Sequence, residues 1–248
     1  MSEYHIFIPY LAEGAQGNEL GYAVAGWRKH FREQFHITVI GDWHPVVETG
    51  RDISFIESER VPDPGAGNYR PHIDHVHKFR KALEAYPGID GFIYACDDMY
   101  AVNDFDIHDV RILKKLSDDI KGNPKSKNGW QRDAAKTRAL HRAEGLPVVN
   151  YICHLPVYYE LDKLLAVWDC YDCDRNSYIV EDIYFNKYFH DRIPVRLNAE
   201  TDNLKLGIYG DVPEETIRKA FSNKIWITNS PLGWSAALDC QLKNHFGL

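Results

Sequence analysis

The chain of 248 residues has no apolar run near the roughly 20 residues that a membrane-spanning helix needs. Its opening stretch, MSEYHIFIPYLAEG, is too acidic and too poor in apolar residues for a secretory signal. Membrane insertion is therefore not expected, and the cytoplasm is the default location. Cysteine is scarce: Cys96, Cys153, Cys170, Cys173 and Cys240 are an odd set in a chain too large to need covalent staples. Cys170 and Cys173 make a CxxC, but no second pair completes a structural zinc site, so reduced thiols are the expectation, with zinc as the alternative. Internal repeats and a clear linker are also missing, which favours one domain over several.

What is present is the composition of a folded globular protein, 44% hydrophobic and 13% aromatic. The net charge of −7 hides an asymmetry. Between Arg111 and Arg142 ten basic residues stand against Asp118, Asp119 and Asp133, so that segment carries +7 and the remaining 216 residues carry −14. A local positive patch on an acidic body suits an anion, and its alternative is an ordinary solvated helix face.

YHIFIPYL reads as a buried first strand ending near Pro9. ELGYAVAGWRKHF places Leu20, Val24, Trp27 and Phe31 at helical spacing, and ITVIGDW forms the next strand. Strand, helix and strand in this order predict a parallel βαβ unit. ISFIES is a third strand; VPDPGAGNYRP is a loop; HIDHVHKFRKALEAYP is a helix. GFIYACDDMYAV is a buried strand broken by two acids at its carboxyl end, where open α/β sheets bind ligands. Further on, QRDAAKTRALHRAEG reads as helical, VVNYICHLP as a strand, PVYYELDKLLAVWDCY and SYIVEDIYFNKYFHD as helices. VRLN, KLGIY and KIWITN are strand-like, and a last helix starts near Ser235. The fold class is mixed α/β with a mostly parallel sheet flanked by helices.

Asp97 and Asp98 hold two carboxylates on one short turn, and adjacent carboxylates repel unless a cation or proton intervenes. Hard oxygen ligands favour Mg²⁺ or Mn²⁺. Capping of a turn is the other reading.

A strand of the form GFIYACDD after an N-terminal βαβ unit resembles the DxD-type motif of GT-A glycosyltransferases, with Cys96 where a strict DxD has its first acid. The order NELGYAVAGWRKHF…ITVIGD, FIYACDDMY, TRAL…NYICHLPVYYELDKL and TNSPLGWSAAL also resembles the blocks of Stealth capsular sugar-phosphate transferases. HIFIPYLAEG stands where the opening WVDGSD-like block of that family would be.

The GT-A resemblance implies one domain over 1–248, with a nucleotide-binding half at 1–100 and an acceptor-binding half at 101–248. It makes Asp98 the main metal ligand, Asp97 a metal or sugar contact, and His245 a third ligand from the tail. His154 becomes an active-site histidine; its alternative is a packed histidine with a backbone partner. Glu181 and Asp182 resemble the ED pair that supplies a general base, and equally fit favourable charge at a helix start. Pro9, Tyr10 and Asp42 fall at the donor-binding edge. Lys78 is either a phosphate contact or a surface lysine.

Lys136 and Arg138, with Arg132, are candidates to fold over an anionic donor or acceptor. Neutralising Lys136 and Arg138 is then expected to weaken binding, and neutralising Lys114 and Lys115 to do little. The activity implied is metal-dependent transfer of a sugar from a nucleoside diphosphate sugar to a hydroxyl, with a carbohydrate acceptor. A nucleic-acid acceptor, gripped by the basic segment and Trp130, is a further reading. Hexose 1-phosphate transfer, as the Stealth resemblance implies, and non-catalytic binding of a sugar nucleotide stay open beside it.

Overall fold

The structure, a computed structural model, describes residues 3–61, 71–198 and 200–248. The Pro- and Gly-rich loop expected after the third strand therefore lies, at 62–70, outside the described residues.

Strands β1 (Tyr4–Tyr10) and β2 (Phe35–Gly41) flank helix α1 (Glu19–His30) and pair in parallel along their full length, as the βαβ pattern predicts. β3 (Ile53–Glu57) extends the sheet beyond β2, helix α2 (Pro71–Ala85) returns across it, and β4 (Gly91–Tyr94) pairs with the other side of β1. The order is β3-β2-β1-β4-β7, where β7 (Val157–Glu160) runs antiparallel to β4. Sheet order thus reverses between β1 and β4, and the carboxyl ends of such strands open a crevice.

The period of two along β1 explains the layers. Ile6 and Ile8 pack with Leu20, Val24 and Trp27 of α1, whereas Phe7 packs with Val76 and Phe79 of α2 and with Trp168 of α5 (Leu161–Cys170). Both faces are covered, so the strands are apolar throughout.

The acids split GFIYACDDMYAV into β4 and a separate short strand, β5 (Met99–Ala101). β5 joins a second sheet in the order β5-β10-β9, made with β9 (Lys205–Ile208) and β10 (Trp226–Asn229) and covered by α7 (Glu214–Asn223) and α8 (Ala236–Phe246). Helix α1 lies between the two sheets. Gly26 is where it meets the second: a Cβ there would stand 2.9 Å from both the nitrogen and the oxygen of Ala101.

Between these parts run α3 (Ile107–Arg111), β6 (Lys114–Lys115), α4 (Gly129–Glu144), α6 (Val180–Tyr188) and β8 (Val195–Arg196), with β6 paired to β8. Asp106 caps α3 through a reciprocal bond set with Asp109, and Gly145 ends α4 in the left-handed region at φ 69°.

Two expectations are corrected. VVNYIC is not a strand, because side chains occupy its backbone: Val149 donates to Asn186 Oδ1 at 3.1 Å and accepts from its Nδ2 at 2.7 Å, and Tyr151 donates to Asp182 Oδ1 at 2.6 Å. PVYYE, read as the start of a helix, is instead β7, alternating buried and half-buried residues against β4.

Candidate functional site

The crevice between β1 and β4 holds a pocket of about 210 Å³. Pro9 and Tyr10 reach it from the end of β1, Cys96, Asp97 and Asp98 from the end of β4, and Glu19 from the first turn of α1. Gly41 ends β2 at φ +133°, where a Cβ would clash with the Tyr10 carbonyl and press on the Lys78 ammonium.

Three carboxylates crowd this space. Glu19 is buried, accepts from Asn229 Nδ2 at 2.7 Å, and is pushed up from the usual carboxylate range by burial. Asp97 is pushed well up, first by burial, then by the charges of Asp98 and Glu19. Such shifts mark a site that favours a cation or a proton.

Asp98 is met by His154, whose Nε2 stands 3.0 Å from Oδ1. His154 holds the left-handed conformation at φ 51°, uncommon for a residue with a Cβ, a kind of strain that gathers at functional sites. The donor atoms of Cys96, Asp98 and His154 all lie within 4.8 Å of one another. This trio has the composition and convergence to hold a metal ion. Tyr94 hydroxyl and Cys96 Sγ are 3.0 Å apart behind it.

His75 and His154 also line an adjoining cavity of about 130 Å³, walled by Phe79, Tyr94, Trp130 and Trp168. Burial holds His75 neutral, its pKa pushed down to about 3. Glu181 and Leu155 form the far wall, and the same two residues face a third cavity of about 690 Å³. Arg111, Lys163 and Arg192 line that space, with Arg111 stacked 4.1 Å from the Tyr158 ring. Glu181 is 8% exposed, and burial followed by the charge of Asp182 raises its proton affinity. Acid pocket, aromatic cavity and large cavity therefore follow one another, with His154 and Glu181 at the two partitions.

The other sequence candidates occupy different places. Asp182 is fully buried and anchors Tyr151, so it positions the segment that carries His154. Its Oδ2 has no partner among the described residues, and burial pushes its pKa up to about 7. Lys78 is no surface lysine: it is 2% exposed on the pocket floor, 2.9 Å from Asp74 Oδ2 and 3.4 Å from the Tyr10 carbonyl. Asp42 accepts from Ala12 N–H at 2.8 Å, fixing the loop after β1, and is not among the described residues lining the pocket.

His245 is not brought to Asp98. It lies on α8 with its Nε2 2.9 Å from His30 Nε2, and burial and Lys29 push its pKa down to about 4. Lys136 reaches Asn176 Oδ1 at 3.0 Å and sits 4.2 Å over the Tyr178 ring; Arg138 binds Asp119 at 2.8 Å. Neither is among the described residues lining the three cavities. Arg132 donates to the Ser126 and Lys127 carbonyls, both at 2.8 Å, and Trp130 faces the aromatic cavity.

Sequence reasoning missed Glu19 and His75. Glu19 stands in the first turn of α1, a place where acids are common for the sake of helix charge alone. His75 lies in HIDHVHKF, where the spacing of His72 and His75 at i and i+3 was the available signal, since it places both on one helix face.

No family model matches the chain, and no curated protein matches it. Solved structures do. The bifunctional glycosyltransferase WbbM in its apo form aligns at 12% identity with a TM-score of 0.52, over 99% of this chain and 50% of WbbM, so this chain spans half of that protein's length. An active-site mutant of LgtC aligns at 12% identity and TM-score 0.50, over 98% of this chain and 95% of LgtC. A structure of the galactosyltransferase LgtC with donor and acceptor sugar analogs gives 14% identity and 0.49, over 98% and 95%. The chain has the mixed α/β, GT-A-like fold of WbbM and of the LgtC mutant.

Proposed function

We propose that the chain is a glycosyltransferase that takes a sugar from a nucleoside diphosphate donor and passes it to a hydroxyl acceptor. The observation that carries this reading is the order of the three cavities. A pocket with convergent acids and a histidine opens at the sheet crossover, an aromatic cavity of about 130 Å³ follows, and a larger space lies beyond a buried glutamate. Aromatic walls suit the apolar face of a sugar ring, and the polar pocket suits the diphosphate end of a donor.

Asp98 and His154, with Cys96, would hold a divalent ion, which would supply positive charge to offset the diphosphate of the donor. Tyr10 and Asp97, which line the same pocket, contact the nucleoside in this reading. Glu181 takes the proton from the acceptor hydroxyl, because it borders both the aromatic cavity and the large one. Asp182 acts through the backbone of Tyr151 and does not touch substrate. The acceptor is a carbohydrate, since the large cavity mixes aromatic rings with Arg111, Lys163 and Arg192 in a recess rather than a track for a nucleic-acid backbone.

Calorimetry with UDP, GDP, CDP and TDP sugars, with and without a divalent ion, tests this directly. At least one donor should bind, and Asp98→Asn should remove most of the ion-dependent part. Binding of none of them would refute the reading. A donor labelled in its β-phosphate should leave the label on the nucleotide product; label in the acceptor product would instead establish phosphosugar transfer.

A further inference from the structure

The sequence alone points to Mg²⁺ or Mn²⁺ because it shows two adjacent acids. The side chains that converge in the structure are a different set. Asp97 is not among them: it adjoins Asp98 but its field also falls on Tyr10, and Glu19 and Lys78 are its other charged neighbours. The converging donors are one sulfur, one carboxylate oxygen and one imidazole nitrogen, from Cys96, Asp98 and His154. We infer that this site selects a borderline ion bound through the Cys96 thiolate, Zn²⁺ in preference to Mg²⁺ or Mn²⁺. The inference rests on the glycosyltransferase reading for placing an ion here, and its test reads the ion itself.

The argument is one of donor chemistry. Mg²⁺ demands a near-octahedral shell of oxygens, and Mn²⁺ is likewise served by carboxylate, carbonyl and water. Thiolate sulfur is a poor partner for both. Three protein ligands of mixed S, N and O type with an open remaining position are what four-coordinate Zn²⁺ takes in reactive sites. Bonds of about 2.0–2.3 Å place tetrahedral ligand atoms roughly 3.3–3.8 Å apart, so donors that lie within 4.8 Å of one another need to close by no more than about 1.5 Å. His154 Nε2 and Asp98 Oδ1, at 3.0 Å, are already close enough.

The surroundings support a thiolate ligand. The Tyr94 hydroxyl lies 3.0 Å from Cys96 Sγ, placed to donate to a metal-bound sulfur and orient it. A bound cation favours the thiolate: the thiol loses its proton to solvent as the metal–sulfur bond forms. Cys153 faces the large cavity with Glu181, and Cys170 is exposed elsewhere.

Cobalt reports the ligand set, since a thiolate on Co²⁺ gives a strong near-ultraviolet charge-transfer absorption that oxygen and nitrogen ligands lack. Full-length apo-protein titrated with Co²⁺ should show this absorption with one ion per chain, and Zn²⁺ should abolish it. In competition, Zn²⁺ should bind at least about 100-fold more tightly than Mn²⁺. Cys96→Ser should lose the absorption and at least about tenfold in Zn²⁺ affinity, and change Mn²⁺ affinity by less than about twofold.

Cys170→Ser should retain the absorption, which excludes the CxxC as its source. Absence of the charge-transfer band in the unmodified protein, its persistence in Cys96→Ser, or equal affinity for Zn²⁺ and Mn²⁺ would each overturn the inference. The unmodified protein alone decides two of these, so a poorly folded variant does not blunt the test. A thiolate-bound ion in a protein that binds no sugar nucleotide would remove the functional reading and leave this one standing. Transfer that runs with Mg²⁺ and no thiolate band would do the reverse.

Discussion

The basic segment from Arg111 to Arg142 and the acidic pocket of Glu19, Asp97 and Asp98 are opposite concentrations of charge, and the fold uses them in opposite ways. Much of the segment's charge goes to its own neighbours. Lys114 donates to the carbonyls of Asp109, Val110 and Ile112, Lys115 pairs with Asp118, and Arg138 pairs with Asp119. The pocket does the reverse: acids far apart in sequence come together, and the buried Lys78 beside them is itself paired with Asp74. A run of charge in sequence is thus dissipated by local bonding, whereas charge assembled from separate elements persists as a field.

That comparison is sharpened most by the buried acids. Glu181→Gln keeps the shape of the partition between the aromatic and large cavities and removes the proposed proton acceptor. Turnover should fall by about 10²–10⁴-fold with donor affinity nearly unchanged, in the range that a positioned acid–base group supplies. A variant with unaltered kcat would move the base elsewhere.

A stability test falls on Lys114. It is 7% exposed, and burial lowers its pKa to about 8, yet its ammonium satisfies three carbonyls at the end of α3. Lys114→Met should destabilise the fold by about 1–3 kcal/mol, the cost of stranding buried acceptors, as read in urea unfolding.

Asp182 gives a pH signature. Its folded pKa of about 7 stands above the ordinary value of 3.8, so the folded state holds a proton that the unfolded state has already released between those values. The group's stabilising contribution is full below pH about 4 and declines as pH rises through about 7, by up to about 4 kcal/mol if the whole shift is realised. Asp182→Asn should flatten that part of the profile of Tm against pH. An identical slope in both proteins would show that Asp182 is ionised throughout.

The local units were legible because their determinants are local. The period of Leu20, Val24 and Trp27, the alternation in YHIFIPYL and the acids ending GFIYACDD set the βαβ unit and the position of the site at a strand end. His154 and Glu181 could be selected as chemistry-bearing types near element ends. What could not be read was which member of an acidic pair faces the cavity. Glu181 and Asp182 differ by about 100° around α6, and only the packing of segment 149–152 against that helix sends one to the site and the other to the backbone of Tyr151. The histidine that meets Asp98 could not be chosen for the same reason: His154 and His245 are equivalent as residue types, and only tertiary structure sets one beside Asp98 and the other beside His30.

The smallest effect is the one that most directly tests the contrast between basic segment and acidic pocket. Lys136 and Arg138 are held by Asn176, Tyr178 and Asp119, and exposed pairs of this kind contribute about 0–1 kcal/mol each. The double variant Lys136→Ala with Arg138→Ala should therefore change donor affinity by less than about twofold at both about 50 and about 300 mM salt, because screening acts only on a field the ligand feels. Should affinity fall several-fold at low salt, and the gap from the unmodified protein narrow at high salt, the segment would be reaching the donor pocket as a basic lid. The acids at the sheet crossover would then have a positive counterpart that closes over the ligand, and the two regions would work as one.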